Sequence, residues 1–387
     1  MIGLKQKPLD IRGLVAAIRR ATRNPRGRVE LLPPYLNGGD KAMVAQCLDR
    51  NPFGYEAIKA FELLLQAKTG RRHAVAVSSG TAAIHLALKA LGIGVGDEVL
   101  VPDMTFAAAA AAVVYCGAIP HFIDCGFVPF GGVNAFKLRQ HLGHISLTAV
   151  KRIKAVMAVD LLGHPGVQPE TIQVCREFNL PLIEDAAAAL GSEGFYRKGG
   201  GSGIVSILSF NNNKIVTTGG GGAVLTDDNK IADRVSSLSA TSKLPSQWHY
   251  VHNEVGFNYR MPNVCAAVGL EQLGRLEAIV GAKRELHASY KAEIGNVDGF
   301  ELVTDAGGCA SNMWLNAVMI DPRYAYHADE HREATLKAIT HENMECRAMF
   351  TPLSRLPPYI HYPKQADLGV SRDIFRRTIC LPSGVAI

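Results

Sequence analysis

From about residue 72 the chain alternates short, β-branched apolar runs with longer stretches of helical period. His73–Val77, Val99–Asp103, His121–Asp124, Ala155–Asp160, Leu180–Asp185 and Val205–Phe210 are continuously apolar, which predicts buried strands. Several end in aspartate: Asp103, Asp124, Asp160 and Asp185. Ligands of an open α/β sheet bind beyond the carboxyl ends of the strands, so these acids are site candidates; a single one could equally cap a helix. Past residue 230 the texture changes. Residues 264–293 carry Leu270, Leu273, Leu276 and Ile279 at heptad-like spacing and predict a helix, with strands and helices following to the end. The pattern divides the chain into a basic helical segment (1–30), a large domain (31–250) and a smaller C-terminal domain (251–387) entered through a helix near 265–290.

Met104 to Ile123 is free of Asp, Glu, Lys and Arg over 20 residues, the length of a spanning helix. It is mostly alanine, a poor inserter, and Gly117 and Pro120 interrupt it, so a buried helix followed by a short strand is expected and no membrane contact. Of the 387 residues 48% are hydrophobic and 20% charged, which excludes a disordered or fibrous chain. Eight cysteines without a CxxC pair suggest reduced thiols in a cytoplasmic protein rather than a disulfide framework or a metal centre. The net charge of +6 is concentrated at the start, where eight Lys/Arg face Asp10 alone within residues 1–28. The remainder is close to neutral, which argues against nucleic acid as a partner. The basic stretch reads as a transit peptide, an RNA-binding arm or a solvated helix; the last is favoured because Leu14, Val15, Ile18 and Ala21 form an apolar stripe.

Two segments carry candidate chemistry. Ser78–Leu88 places a Ser-Gly-Thr turn at a helix start directly after a strand. Free amides there, with hydroxyls alongside and no Cβ on Gly80, suit a phosphate, although small residues at helix starts are common. Ser209–Gly222 (Ser-Phe-Asn-Asn-Asn-Lys-Ile-Val-Thr-Thr-Gly-Gly-Gly-Gly) sets one lysine just past a buried strand. Lys214 is either a desolvated amine of the kind carbonyl condensation requires or a lysine at a loop mouth reaching solvent. A Schiff-base lysine, a buried strand-end aspartate and a phosphate pocket are together the three anchors of pyridoxal phosphate, and Phe106 is placed to stack on its ring. No GxGxxG opens a helix near the N-terminus, which disfavours a nicotinamide enzyme.

Ser79-Gly-Thr-Ala-Ala, Pro102-Asp-Met-Thr-Phe106, Ile183-Glu-Asp-Ala-Ala187, Ser209–Lys214, Thr217–Gly222 and Gly256-Phe-Asn-Tyr-Arg-Met-Pro262 occur in this order. Over roughly residues 30–387 the chain resembles the DegT/DnrJ/EryC1/StrS sugar aminotransferases. The resemblance implies an α/β fold of the fold type I pyridoxal phosphate enzymes, with a mainly parallel seven-stranded sheet in the large domain and a smaller C-terminal α+β domain. It implies Lys214 as the Schiff-base lysine and proton shuttle, and Asp185 as partner of the pyridinium nitrogen. Gly80, Thr81 and Ser209 would hold the phosphate, Phe106 would stack on the ring, and Asp160 and Asn211 would lie near the cofactor. Asn258 would reach the phosphate of the partner subunit, which implies a homodimer with shared active sites. Lys243, Tyr259 and Arg260 are candidates for substrate binding, the two cations for an acidic diphosphate.

Departures from the family pattern bear on the substrate. Asn211 replaces a frequent His and Gly220 a frequent Glu, and with residues 241–252 they resemble the branch acting on UDP-linked 4-keto-6-deoxy-N-acetylhexosamines. The implied reaction takes an amino group from L-glutamate to the sugar's C4 ketone. Ala188 stands where Gln or Glu is usual, Ser354 where His is frequent, and residues 51–54 differ from the usual substrate loop. Two alternatives follow: a non-catalytic relative that binds cofactor or nucleotide sugar, and a sugar dehydratase of the same fold, which would carry His in place of Lys214.

Overall fold

A computed structural model describes residues 8–51, 54–128, 130–195 and 199–385, without the side chains of 147–149. Lys5, Lys7, Pro52 and Phe53, singled out above, lie outside the described residues. Seven strands form one sheet: β1 (His73–Val77), β2 (Glu98–Pro102), β3 (Ile119–Ile123), β4 (Ile153–Val159), β5 (Leu182–Asp185), β6 (Val205–Ser209) and β7 (Gly222–Thr226). Their order is β1-β7-β6-β5-β4-β2-β3. Neighbours from β3 to β6 run parallel, and β7 is antiparallel to both β6 and β1. Helices cover both faces, which is why the strands read as unbroken apolar runs rather than alternating ones. The run expected from Leu180 starts its ladder at Leu182, because Pro181 has no N–H and contributes only its carbonyl, to Val156.

The alanine-rich stretch resolves into a helix, Ala108–Tyr115, and β3, joined through Gly117 at φ +75°. Among the described residues no helix is long and apolar enough to cross a membrane. The heptad-like stretch is two helices rather than one, Asn263–Gly274 and Leu276–Ile294. Arg275 at the break turns aside to pair with Asp40 at 2.9 Å, and Gln272 donates to the same carboxylate. The first helix packs on α2 (Gly38–Arg50) and α3 (Glu56–Thr69), the second on α1 (Ile11–Ala21).

A second, antiparallel sheet of β8 (Phe300–Leu302), β9 (Ala317–Ile320), β10 (Arg347–Ala348) and β11 (Thr378–Cys380) has the order β10-β11-β9-β8. The apolar stripe of α1, Leu14, Ala17, Ile18 and Ala21, is buried in the core of this C-terminal layer with Tyr290, Val318, Ile320 and Ile379. Arg20 of α1, and Arg28 beyond it, answer acids of the same layer: Arg20 pairs with Glu293 at 2.5 Å and Arg28 with Glu345 at 2.6 Å. The two layers are joined by Asp124, just past β3 and 1% exposed. Its Oδ1 accepts from the Ser371 amide (2.9 Å) and hydroxyl (2.7 Å), its Oδ2 from Lys137 Nζ (2.7 Å) and the Val370 amide (3.2 Å). Asp124→Ala leaves the Ser371 and Val370 donors unanswered, while Lys137 keeps Asp367 at 2.8 Å, and should lower unfolding stability by about 2 kcal/mol, measured by denaturant titration.

Candidate active site

The carboxyl ends of β4, β5 and β6 converge on the N-terminus of α4 (Gly80–Ala90), and a cavity of about 380 Å³ opens between them. A larger surface hollow of about 710 Å³ includes Arg71, but that guanidinium already donates to the carbonyls of Gly203, Ile204 and Leu225 and to Asp227. The smaller cavity is the one with chemistry on its wall.

At one end, Ser79 caps α4 by accepting from the Ala82 amide at 3.0 Å. The first-turn amides of Gly80 and Thr81 have no carbonyl within the helix to answer them. Two glycines allow the approach of neighbouring strands that completes this end. A Cβ on Gly222, at the start of β7, would lie 2.5 Å from the Ser79 backbone, and one on Gly80 would lie 2.9 Å from Ser209 Cβ. The Ser209 hydroxyl is thereby set beside the helix amides, which makes a pocket for a phosphate.

Lys214 lies in the loop joining β6 to β7, in a turn closed by its own amide to the Asn211 carbonyl at 3.0 Å. Burial lowers its amine to about 8, and Asp185 opposes that by pulling it upward. Asp185 ends β5 and accepts from the Ala187 amide at 3.2 Å. Burial pushes its carboxyl up, while that amide and Lys214 pull it down. On the next strand Asp160 accepts from the Gly166 amide at 2.7 Å. Burial, with Glu184 alongside, raises the Asp160 carboxyl well above its ordinary value. Glu184 in turn accepts from the Ser206 hydroxyl (2.6 Å) and the Ser202 amide (2.8 Å).

Gly80, Thr81, Phe106, Asp160, Asp185, Ser209, Asn211 and Lys214 all line this cavity. Phe106 is 63% exposed, with its edge toward Phe350 at 5.8 Å between centroids, so one face is open to a ligand ring. Asn258, Lys243, Tyr259 and Arg260 are not brought to it. Arg260 pairs with Glu62 at 3.4 Å, and Lys243 lies over the Tyr250 ring at 4.1 Å. Tyr259 stacks on Phe257 and supports the site through its backbone, its carbonyl accepting from the Ser78 amide at 2.8 Å. Ser354 lies outside the cavity as well: its amide (2.7 Å) and hydroxyl (3.0 Å) both donate to the buried Asp103. Ala188 presents only a methyl group to the cavity, while its carbonyl accepts from Asn312 Nδ2 at 2.8 Å.

Some lining residues were given no role by the sequence, Trp314, Phe350 and Thr105 among them. Trp314 and Phe350 arrive from the C-terminal layer, and Thr105 has a buried hydroxyl without a partner. The Lys214 amine lies 4.0 Å from the centroid of the Trp314 ring.

A pyridine ring with a phosphate, an aldehyde and a protonated nitrogen fits this wall. The helix N-terminus answers the phosphate, Lys214 the aldehyde, and a cationic ring nitrogen would supply the positive partner that a buried Asp185 lacks. Two outcomes are expected. Gly222→Ala should cost about 1–3 kcal/mol in unfolding stability and weaken phosphate-ester binding, read by denaturant titration and calorimetry. The rate at which Lys214 reacts with a small aldehyde should rise about tenfold from pH 7 to pH 9 and level off, because the neutral amine dominates above pH 8; a lysine at its ordinary value would gain close to a hundredfold.

The profile of the DegT/DnrJ/EryC1/StrS aminotransferase family matches residues 35–387. The chain is 33% identical over 368 residues to EpsN of Bacillus subtilis, whose name places it with the pyridoxal phosphate-dependent aminotransferases, covering 92% of this chain and 91% of that one. It is 32% identical to the GDP-perosamine synthase of Vibrio cholerae, covering 92% and 94%. The crystal structure of the aminotransferase TlmJ from Streptoalloteichus hindustanus superimposes with a TM-score of 0.80 at 26% identity, covering 92% and 94%. With its lysine, strand-end aspartate and phosphate cradle in one cavity, the chain belongs to the DegT/DnrJ/EryC1/StrS aminotransferase family and uses pyridoxal 5′-phosphate as its cofactor.

Proposed function

We propose that this aminotransferase moves an amino group from L-glutamate to the C4 ketone of a nucleotide-linked 4-keto-6-deoxy sugar, with a UDP-linked N-acetylhexosamine as the preferred acceptor. The observation that carries the reading is the Lys214 amine, lowered to about 8, inside a cavity whose far end is the α4 N-terminus. Bound pyridoxal phosphate supplies an electron sink at the carbon that loses or gains a proton. Lys214 takes the proton from the donor's α-carbon and returns one to the sugar's C4, which an amine near neutrality can do in both directions. Asp185 binds and keeps charged the ring nitrogen, Gly80, Thr81 and Ser209 hold the phosphate, and Phe106 covers one ring face.

The sugar assignment rests on the open wall. A Cβ on Gly220 would meet nothing within 4 Å, and Ala188 adds only a methyl, so the wall leaves room for a bulky substituent such as an N-acetyl group. A homodimer is supported by residues with no role in their own cavity. Asn258 is exposed, and so are Trp248, Tyr250 and Val255 around it, a surface suited to a second copy whose cavity Asn258 and Lys243 would complete. We place the enzyme in the cytoplasm, in keeping with its eight free cysteines.

The purified protein with pyridoxal phosphate should show a visible absorption band that L-glutamate bleaches and that a UDP-linked 4-keto-N-acetylhexosamine restores. Lys214→Ala should lose turnover at least a thousandfold, on the order expected when a proton-transferring nucleophile is removed. Restoration by a GDP-linked 4-keto sugar alone would overturn the UDP assignment, and a colourless protein would overturn the aminotransferase reading.

A further inference from the structure

Trp314 is built into the cavity with more connections than a packing residue needs. Its indole Nε1 donates to the Asn213 carbonyl at 2.6 Å, its amide to Asn312 Oδ1 at 2.8 Å, and its carbonyl accepts from the buried Lys283 amine at 3.3 Å. Asn312 is itself fixed, donating through Nδ2 to the carbonyls of Ala188 (2.8 Å) and Leu190 (2.9 Å). Met313, between them, has φ +50°, a left-handed conformation that a long side chain adopts only under constraint. The Trp314 main chain is therefore fixed through its amide and carbonyl, and the ring itself through its Nε1, whose acceptor is the residue immediately before Lys214. Ring and lysine turn are locked to each other, and the Lys214 amine lies over the ring face at 4.0 Å from its centroid.

We propose that Trp314 is a positioning residue for the reacting amine, its anchored indole face holding the Lys214 side chain in place whenever the amine is not bonded to a ligand. The proposal rests on Lys214 being that amine. A π face suits the task for two reasons. It attracts the ammonium in a desolvated site without adding a second negative charge, so Asp185 stays available for a ring nitrogen. It also engages the cation without a carboxylate's strong hydrogen bond, so the amine can still give up a proton.

The test uses the full chain with Trp248→Phe, which leaves Trp314 as the single tryptophan, since the chain has two. Its fluorescence in the cofactor-free protein is followed against pH. We expect a step with a midpoint near pH 8 that is absent in Lys214→Met. Emission that stays flat, or a step that survives Lys214→Met, overturns the contact. In a second arm, added pyridoxal phosphate reports the pH dependence of Schiff-base formation by absorbance. Trp314→Leu should move its midpoint down by roughly one pH unit, and Trp314→Phe, which keeps a ring face, by clearly less. Equal midpoints in all three proteins, with only the amount of folded protein changed, would reduce Trp314 to packing. The fluorescence arm needs no cofactor, so it decides on Trp314 even where uptake fails and the aminotransferase reading falls with it.

Discussion

Burial drives Lys214 and Asp185, on opposite sides of one cavity, toward their neutral forms, and each restrains the other. Neither charge is stable there by itself. Asp185 also shares its corner with Asp160 and Glu184, and three ionised carboxylates on adjacent strand ends would repel one another strongly. The fold answers by shifting Asp160 toward its protonated form and by giving Glu184 the Ser206 hydroxyl and the Ser202 amide. What remains is a single acid in need of a cation, a single amine near neutrality, and a helix N-terminus in need of an anion. That set of demands is the imprint of a zwitterionic ligand: cationic ring nitrogen, carbonyl carbon, phosphate.

The rest of the fold holds these three groups at a workable separation. Parallel strands β2 to β5 deliver aspartates to the carboxyl edge of the sheet, where an open α/β sheet binds its ligands. The reversal at β7 adds something a purely parallel sheet lacks, a tight return loop from the end of β6 that carries Lys214 back over the cavity. Gly222 lets that return strand press against Ser79, so the loop's end and the phosphate pocket are one contact rather than two independent parts. The C-terminal layer closes the remaining side with Trp314 and Phe350, and Asp124 ties that layer to the sheet edge through Ser371 and Val370.

Much of this was legible along the chain because it is local. β2 to β5 are apolar runs with an acid at or just past the end, and the phosphate pocket and the lysine loop are each one short segment. The parts that escaped depend on partners distant in sequence. Trp314 belongs to the site because Asn213, 101 positions earlier, accepts its indole N–H. The heptad spacing across 264–293 continues through Arg275, so nothing in it marks the junction of the two helices or the pairing of Arg275 with Asp40 on another helix. Asp160 was visible as a strand-end acid, but nothing in its own segment says that its carboxyl is raised; burial in the assembled fold does most of that, and Glu184 on the neighbouring strand adds to it.

Ala188 shows how such long-range contacts change the meaning of a departure from the family pattern. Read alone, alanine in place of Gln or Glu is a lost hydrogen bond to the cofactor. In the fold its backbone carbonyl receives Asn312, and Asn312 sets the turn that places Trp314 over Lys214. The position still supports the reacting end of the cavity, through its main chain and a residue from the other layer. Ser354 follows the same logic, since it donates twice to the buried Asp103 rather than facing a substrate. Gly220 is different: no neighbour fills the space its missing side chain leaves, so this departure leaves open volume at the cavity wall.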